Sequence, residues 1–113
     1  MTPDERLATV LKLLERYNAQ DADGYVELMT DGASEANWRG AVVRDGKEGV
    51  RAGLKAMFAE FPENRVEVMQ SFVMGEKVVL HEKVFRSSSA TPFDVMVIYG
   101  FDGPLVDRVE FVR

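Results

Sequence analysis

The chain contains no cysteine and only one histidine among its 113 residues. Without cysteine it can form no disulfide, no thiolate nucleophile and no thiolate zinc site, and the lack of cysteine permits a reducing compartment. A single histidine, His81, cannot assemble an imidazole metal centre by itself. We therefore expect neither a bound metal ion nor a cofactor.

The chain also lacks net positive charge and long apolar runs. Its formal net charge of −5 would repel a phosphate backbone, so we expect no nucleic-acid partner. No apolar run approaches the length of a membrane span, and residues 1–6 are too polar for a secretory signal. We expect a cytoplasmic protein that does not contact membranes.

What the chain does contain is enough apolar sequence for one core. Hydrophobic residues make up 46% and charged residues 29% of the chain, as in ordinary globular proteins. A length of 113 residues allows one full core and is too short for two. We expect residues 1–113 to form a single domain.

Capping signals predict where the helices begin and end. Thr2 followed by Glu5 is a capping box, and it predicts a first helix to about residue 19. Apolar residues within 25–29 predict a second, short helix that ends at the turn pair Asp31–Gly32.

A third helix and a series of strands follow. Asp45 and Glu48 resemble another capping box, and Pro62 ends the apolar helical stripe that follows them. Residues 33–43 are interpreted as a short strand plus a loop. Period-two patterns separated by turn residues predict four more strands, which form an antiparallel meander, at residues 65–74, 77–86, 92–101 and 105–113.

Helices followed by a meander predict an α+β fold with the helices on one face of the sheet. Several strands carry apolar residues on both faces. In the last strand, Val109 and Phe111 lie on the opposite side from Val106 and Val112. Because the second face must also be covered, we expect a homodimer.

Three stretches carry a family resemblance: NAQDADGYVELMTDGA (18–33), RDGKEGVRAGLKAMFAEFP (44–62) and FDGPLVDRVEFV (101–112). Together they resemble the SnoaL-like, ketosteroid-isomerase-like branch of the nuclear transport factor 2-like superfamily. The resemblance implies a cystatin-like, cone-shaped roll, in which a strongly curved antiparallel sheet wraps around three helices from the N-terminal half. It also implies a pocket at the open end for a small hydrophobic organic ligand.

The resemblance argues against steroid isomerase chemistry. The aspartate base of ketosteroid isomerases would fall at Asn37, whose amide cannot take up a proton at neutral pH. Their oxyanion-hole tyrosine would fall at Leu13, and their protonated aspartate near Val97.

Epoxide hydrolases of the limonene type match this chain better. The resemblance implies Glu110 as the water-activating carboxylate, Asn37 as the asparagine and Lys83 in place of an arginine. Two positions depart from the pattern of these epoxide hydrolases. Phe85 occupies the position of their second carboxylate, so the usual proton donor is missing. Glu35 occupies the position of their tyrosine. Polyketide cyclases of the SnoaL type also use a carboxylate late in the chain, a role that Glu110 could take.

The candidate site follows from these positions. Glu35 and Asn37 are two residues apart in a strand and therefore point to the same side. Glu110 could instead be a solvated strand residue, and the aromatic candidates could simply belong to the core. The catalytic candidates are Glu110, Lys83, His81 and Asn37, and the substrate-binding candidates are Glu35, Trp38, Phe85, Tyr99 and Tyr17.

Two main hypotheses follow for the function; a third, a protein-interaction adaptor as in nuclear transport, would need an exposed apolar docking patch and has less support. The first is a cofactor-independent acid/base enzyme, an isomerase, cyclase or hydrolase of SnoaL-like type, with Glu110 as the base. The second is a protein of the same fold that binds a small ligand without converting it. A catalyst needs charged groups that converge inside the cavity, whereas an apolar cavity with a single polar anchor is enough for a binder.

Overall fold

The computed structural model describes all 113 residues as three helices and six strands. The helices are α1 (Pro3–Asn18), α2 (Ala22–Val26) and α3 (Gly46–Glu60). The strands are β1 (Met29–Asn37), β2 (Val42–Asp45), β3 (Arg65–Met74), β4 (Lys77–Phe85), β5 (Phe93–Asp102) and β6 (Leu105–Val112).

The capping box predicted at the start of α1 is present. The Thr2 hydroxyl accepts a hydrogen bond from the Glu5 amide at 3.1 Å, and the Glu5 carboxylate accepts one from the Thr2 amide at 2.9 Å. Both groups satisfy amides that the first helical turn leaves without partners. The buried face of α1 carries Val10, Leu13 and Leu14.

The capping box predicted for α3 does not form. Asp45 occupies the N-cap position, but its side chain accepts no capping hydrogen bond, and the residue ends β2. The chain turns into α3 at Gly46, whose φ of 75° is rarely adopted by residues with a side chain. Glycine at this position therefore allows β2 to lead directly into the helix.

The segment after α2 differs from the prediction. The short helix ends at Val26, and Met29 begins β1, so Asp31 and Gly32 lie within a strand and not in a terminating turn. Tertiary packing explains the difference, because Met29, Ala33 and Glu35 are buried. The predicted strand plus loop at 33–43 is instead the second half of β1, a turn and the start of β2.

The six strands form one sheet in the order β2-β1-β6-β5-β4-β3. Neighbouring strands are antiparallel except β1 and β6, which are parallel, so the sheet is mixed. The sheet is curved and does not close into a barrel. The predicted α+β, cystatin-like fold is confirmed.

The core lies between the helices and the concave face of the sheet and contains 20 buried hydrophobic residues. Val106 belongs to it, although simple alternation along β6 assigned Val106 to the opposite face from Val109. A register irregularity between Gly100 and Phe101 of β5 places one extra residue in β6 and changes the alternation there.

The convex face of the sheet carries an apolar row. Phe72, Val79 and Ile98 are direct cross-strand neighbours on β3, β4 and β5, and Glu110 of β6 continues the row. Phe72 is 57% exposed. No helix of the structure is long and apolar enough to cross a membrane.

Candidate functional site

A cavity of about 300 Å³ opens between α1, α3 and the concave face of the sheet. Its volume is at the lower end of the range for small-molecule sites. Twelve of its eighteen lining residues are hydrophobic. Three of these twelve are tyrosines with a polar hydroxyl group, Tyr17, Tyr25 and Tyr99, and the other six lining residues are Glu35, Asn37, Arg44, Glu82, Arg86 and Arg113.

One buried carboxylate in the cavity is paired with a cation. The Arg44 guanidinium donates to Oε1 of Glu35 at 2.6 Å, and the Tyr25 hydroxyl donates to Oε2 at 3.0 Å. Glu35 is only 1% exposed, so these two donors replace the water it loses on folding. Burial, together with the negative charge of Glu35, raises the pKa of Tyr25 well above its ordinary value, which keeps Tyr25 a donor.

Arg44 and Glu35 are direct cross-strand neighbours on β2 and β1, and the Arg44 side chain also packs against α3. A side chain at Gly53 would collide with Arg44, because a β-carbon built there would lie 2.4 Å from the Nε atom of Arg44. Gly53 therefore leaves the space in which the Arg44 side chain lies.

A second buried carboxylate, Glu82, has no cation partner. It is 4% exposed, and its only hydrogen bond is donated by the Tyr99 hydroxyl to Oε2. Burial raises the pKa of Glu82 to about 7; the Tyr99 hydrogen bond opposes this rise and the charge of Glu35 adds to it. Glu82 can therefore hold or release a proton near neutral pH.

Tyr17, Asn64 and Arg86 form a separate hydrogen-bonded group. The Asn64 amide donates to the Tyr17 hydroxyl oxygen at 2.7 Å, and Arg86 Nη1 donates to Asn64 Oδ1 at 2.8 Å. Asn64 is nearly fully buried. The Sδ atom of Met57 lies 3.1 Å from Arg86 Nη1.

Four of the nine predicted site residues line the cavity. Glu35 and Asn37 share the concave side of β1, as the alternation predicted, and Tyr17 and Tyr99 contribute hydroxyl groups. Tyr99 also belongs to the hydrophobic core, which is the alternative that the sequence left open for the aromatic candidates.

The other three catalytic candidates lie elsewhere, so the predicted convergence of Asn37, Lys83, His81 and Glu110 in one cavity is wrong. Their neighbours Glu82 and Phe111 line the cavity instead. Because successive side chains of a strand point to opposite faces, Lys83, His81 and Glu110 lie on the convex face. There His81 Nε2 is 3.3 Å from the Asp94 carboxylate.

Phe85 and Trp38 do not line the cavity either. Phe85 lies on the convex face, where the Arg65 guanidinium stacks over its ring at 4.1 Å. Trp38 follows the end of β1 and is 50% exposed. Trp38 lines a shallow depression beside the cavity. The depression and the cavity share three lining residues, Asn37, Phe111 and Arg113.

The sequence interpretation missed Glu82, Arg44, Tyr25 and Arg86. One signal in β4 could have identified Glu82. The face of this strand with His81 and Lys83 contains two basic groups that are costly to bury, whereas the face with Glu82 is otherwise apolar. No comparable local signal identifies Arg44 or Arg86, because each reaches the cavity from the end of a strand. No group of three or more histidine, aspartate or glutamate side chains is arranged to hold a metal ion.

Comparison with known proteins gives the family. Residues 10–109 match the SnoaL-like domain family, and the chain belongs to it. No curated protein matches the chain.

Solved structures agree with this result. An uncharacterised cystatin-fold protein from Novosphingobium aromaticivorans is 46% identical, with 96% of this chain and 97% of that chain covered and a TM-score of 0.92. A protein from Jannaschia sp. CCS1, provisionally described as a SnoaL-like polyketide cyclase, is 21% identical, with 96% and 84% covered and a TM-score of 0.79. A Kribbella flavida protein, provisionally described as a ketosteroid isomerase, is 13% identical, with 96% and 77% covered and a TM-score of 0.80. The last two show similarity of fold alone.

Proposed function

We propose that the protein is a cofactor-independent acid/base enzyme for a small hydrophobic molecule, with Glu82 as the group that takes up and returns the proton. One observation carries the proposal: Glu82 is buried in the cavity, has no cation partner and is held by the Tyr99 hydroxyl alone. Its pKa of about 7 supports this role, since both protonation states are then populated at neutral pH.

The reaction consists of proton transfer at carbon. The Glu82 carboxylate removes a proton from a carbon next to a carbonyl group, so the C–H bond breaks, an O–H bond forms on Glu82 and the electron pair moves to the carbonyl oxygen. Glu82 then returns the proton to the same or a conjugated carbon. The Tyr99 hydrogen bond orients the Glu82 carboxylate, and the Arg44 guanidinium pairs with Glu35.

Glu82 replaces Glu110 in this proposal, because Glu110 lies on the convex face. The apolar lining favours a hydrophobic substrate, and it excludes water from the carboxyl group. A protein that only binds such a ligand is the second candidate, favoured by the twelve hydrophobic lining residues.

Deuterium exchange at the activated carbon of 2-tetralone, followed by proton NMR in D₂O, separates the two candidates. We expect the protein to accelerate exchange and Glu82→Gln to lose roughly 10²-fold or more of that acceleration. Glu110→Gln is the matched control and should behave as the wild type. Binding of the ketone without accelerated exchange would favour the second candidate.

We also propose that the convex face pairs with a second copy of the chain. The apolar row of Phe72, Val79 and Ile98 is bordered by charges of both signs, since Lys83 lies between Glu67 and Asp94 on neighbouring strands. Such a face is complementary to itself when two copies are related by a two-fold axis.

A further inference from the structure

Arg86 lies at the opposite end of the cavity from the proposed base. It directly follows β4, and its side chain shares the concave side with Glu82 and Val84. Arg86 lies four positions after Glu82 along extended chain, so their α-carbons are about 13 Å apart. The two groups can therefore contact different ends of one ligand.

All groups that contact the Arg86 guanidinium are neutral. Nη1 lies 2.8 Å from Asn64 Oδ1, 3.1 Å from Met57 Sδ and 3.5 Å from the Tyr17 hydroxyl oxygen. The guanidinium also lies 5.6 Å and 5.4 Å from the ring centres of Phe61 and Phe93.

No carboxylate lies within 4.0 Å of Arg86. A guanidinium has five N–H donors, and in this structure only one nitrogen of Arg86 makes hydrogen bonds to the protein. The aromatic rings and Asn64 hold the group in place without neutralising its charge. Arg86 is therefore positioned to bind an anion.

The Tyr17 hydroxyl adds a second donor at the same end. Asn64 Oδ1 accepts from Arg86, so its amide nitrogen faces Tyr17 and donates to the hydroxyl oxygen at 2.7 Å. The hydroxyl hydrogen then has only the Met57 sulfur as a partner, at 3.9 Å, which is a weak acceptor. It can instead be donated to a ligand.

The charges of the cavity favour an anion as well. Three guanidinium groups line it, those of Arg44, Arg86 and Arg113, against two carboxyl groups. Arg44 is already paired with Glu35. The remaining positive charge is concentrated away from Glu35.

We infer that the substrates are hydrophobic carboxylic acids that carry a second carbonyl group at their far end: the carboxylate binds Arg86 and the Tyr17 hydroxyl, and the far end extends toward Glu82. This inference refines the proposed function, since it names the substrate class of the same cavity. It concerns binding only, so it can be tested without turnover.

The test uses phenylacetate, 3-phenylpropionate and 4-phenylbutyrate, each paired with its primary amide. Dissociation constants are measured by isothermal titration calorimetry at pH 8. We expect at least one acid to bind about tenfold or more tightly than its amide. Arg86→Met should remove that preference. The matched control Arg65→Met removes an arginine from the convex face and should retain the preference for the acid.

Equal affinities for acid and amide, an acid preference that persists in Arg86→Met, or no binding by any of the three acids would each overturn the inference. Tyr17→Phe should weaken binding of the acid more than binding of the amide. Glu82→Gln should bind the acid at least as well as the wild type, because it removes a negative charge. Loss of proton exchange with acid binding intact would therefore count against the proposed function alone.

Discussion

Glu35 and Glu82 line the same cavity and are both almost completely buried, yet only Glu35 is paired with an arginine. The Arg44 guanidinium donates to Glu35 Oε1 at 2.6 Å. The negative charge of Glu35 in turn contributes to the raised pKa of Glu82. Glu82, which has no cation partner, can therefore change its protonation state near neutral pH.

The first prediction concerns stability against pH. The folded-state pKa of Glu82 is about 7, above its ordinary value of 4.5, so between these values the folded protein holds more protons than the unfolded chain. Glu82 therefore lowers the free energy of unfolding as pH rises from 4.5 to 7, by on the order of 3 kcal/mol. Glu82→Gln should lack this loss. The free energy of unfolding of the variant, relative to that of the wild type, should therefore increase as pH rises.

Urea unfolding between pH 4.5 and 8 measures this difference, with Glu110→Gln on the convex face as the control. A constant difference between Glu82→Gln and the wild type across the range would show that Glu82 does not titrate there.

The second prediction concerns the hydrogen bond from Tyr99. That bond lowers the pKa of Glu82 because the hydroxyl stabilises the carboxylate. Tyr99→Phe should therefore raise the pKa of Glu82 above its wild-type value. Carbon-13 NMR titration of labelled glutamate carboxyl groups measures the change. Tyr25→Phe is the control, since Tyr25 donates to Glu35, and an equal rise in both variants would contradict the assignment.

The third prediction concerns the pair of Arg44 and Glu35. Arg44→Met leaves a buried carboxylate without its cation and should cost about 3–5 kcal/mol of unfolding free energy. Adding Glu35→Gln to that variant should recover a large part of the loss, because no charge then remains unpaired. Urea unfolding of the wild type, Arg44→Met, Glu35→Gln and the double variant forms a double-mutant cycle. Simple additivity of the two losses would show that the pair does not interact.

The fourth prediction concerns assembly. If the convex face pairs with a second copy, a charge at the centre of its apolar row should separate the copies. Ile98→Glu should convert a dimer to a monomer in light scattering coupled to size-exclusion chromatography. Lys12→Glu, an exposed change on α1, should leave the mass unchanged. A monomeric wild type at concentrations of about 100 μM would refute the proposal.

Local signals in the sequence predicted most of the fold. The capping box of Thr2 and Glu5 and the turn at Gly75 mark boundaries that depend on neighbouring residues alone. The start of β1 was missed because burial of Met29 depends on a partner strand far along the chain. The same limitation applies to the parallel pairing of β1 with β6.

The site was predicted less completely because β4 has apolar residues on both faces. Alternation assigns Glu82 and Lys83 to opposite sides, but it does not say which side is concave. In β1 alternation assigned Glu35 and Asn37 to one side, and both residues line the cavity. Arg44 and Arg86 could not be assigned, since their positions depend on Gly53 and on Asn64, which come from other parts of the fold.

The place of β6 in the sheet has a consequence for how the cavity is assembled. Of the six strands, β6 is the last to leave the ribosome, and it alone joins β1 to the β5-β4-β3 part of the sheet. Until it is inserted, the strand that carries Glu35 is not connected through the sheet to the strand that carries Glu82. Contacts this distant in sequence form slowly. The nascent chain is therefore expected to form helices and hairpins before it encloses the cavity, and the cavity is complete only with the closing strand.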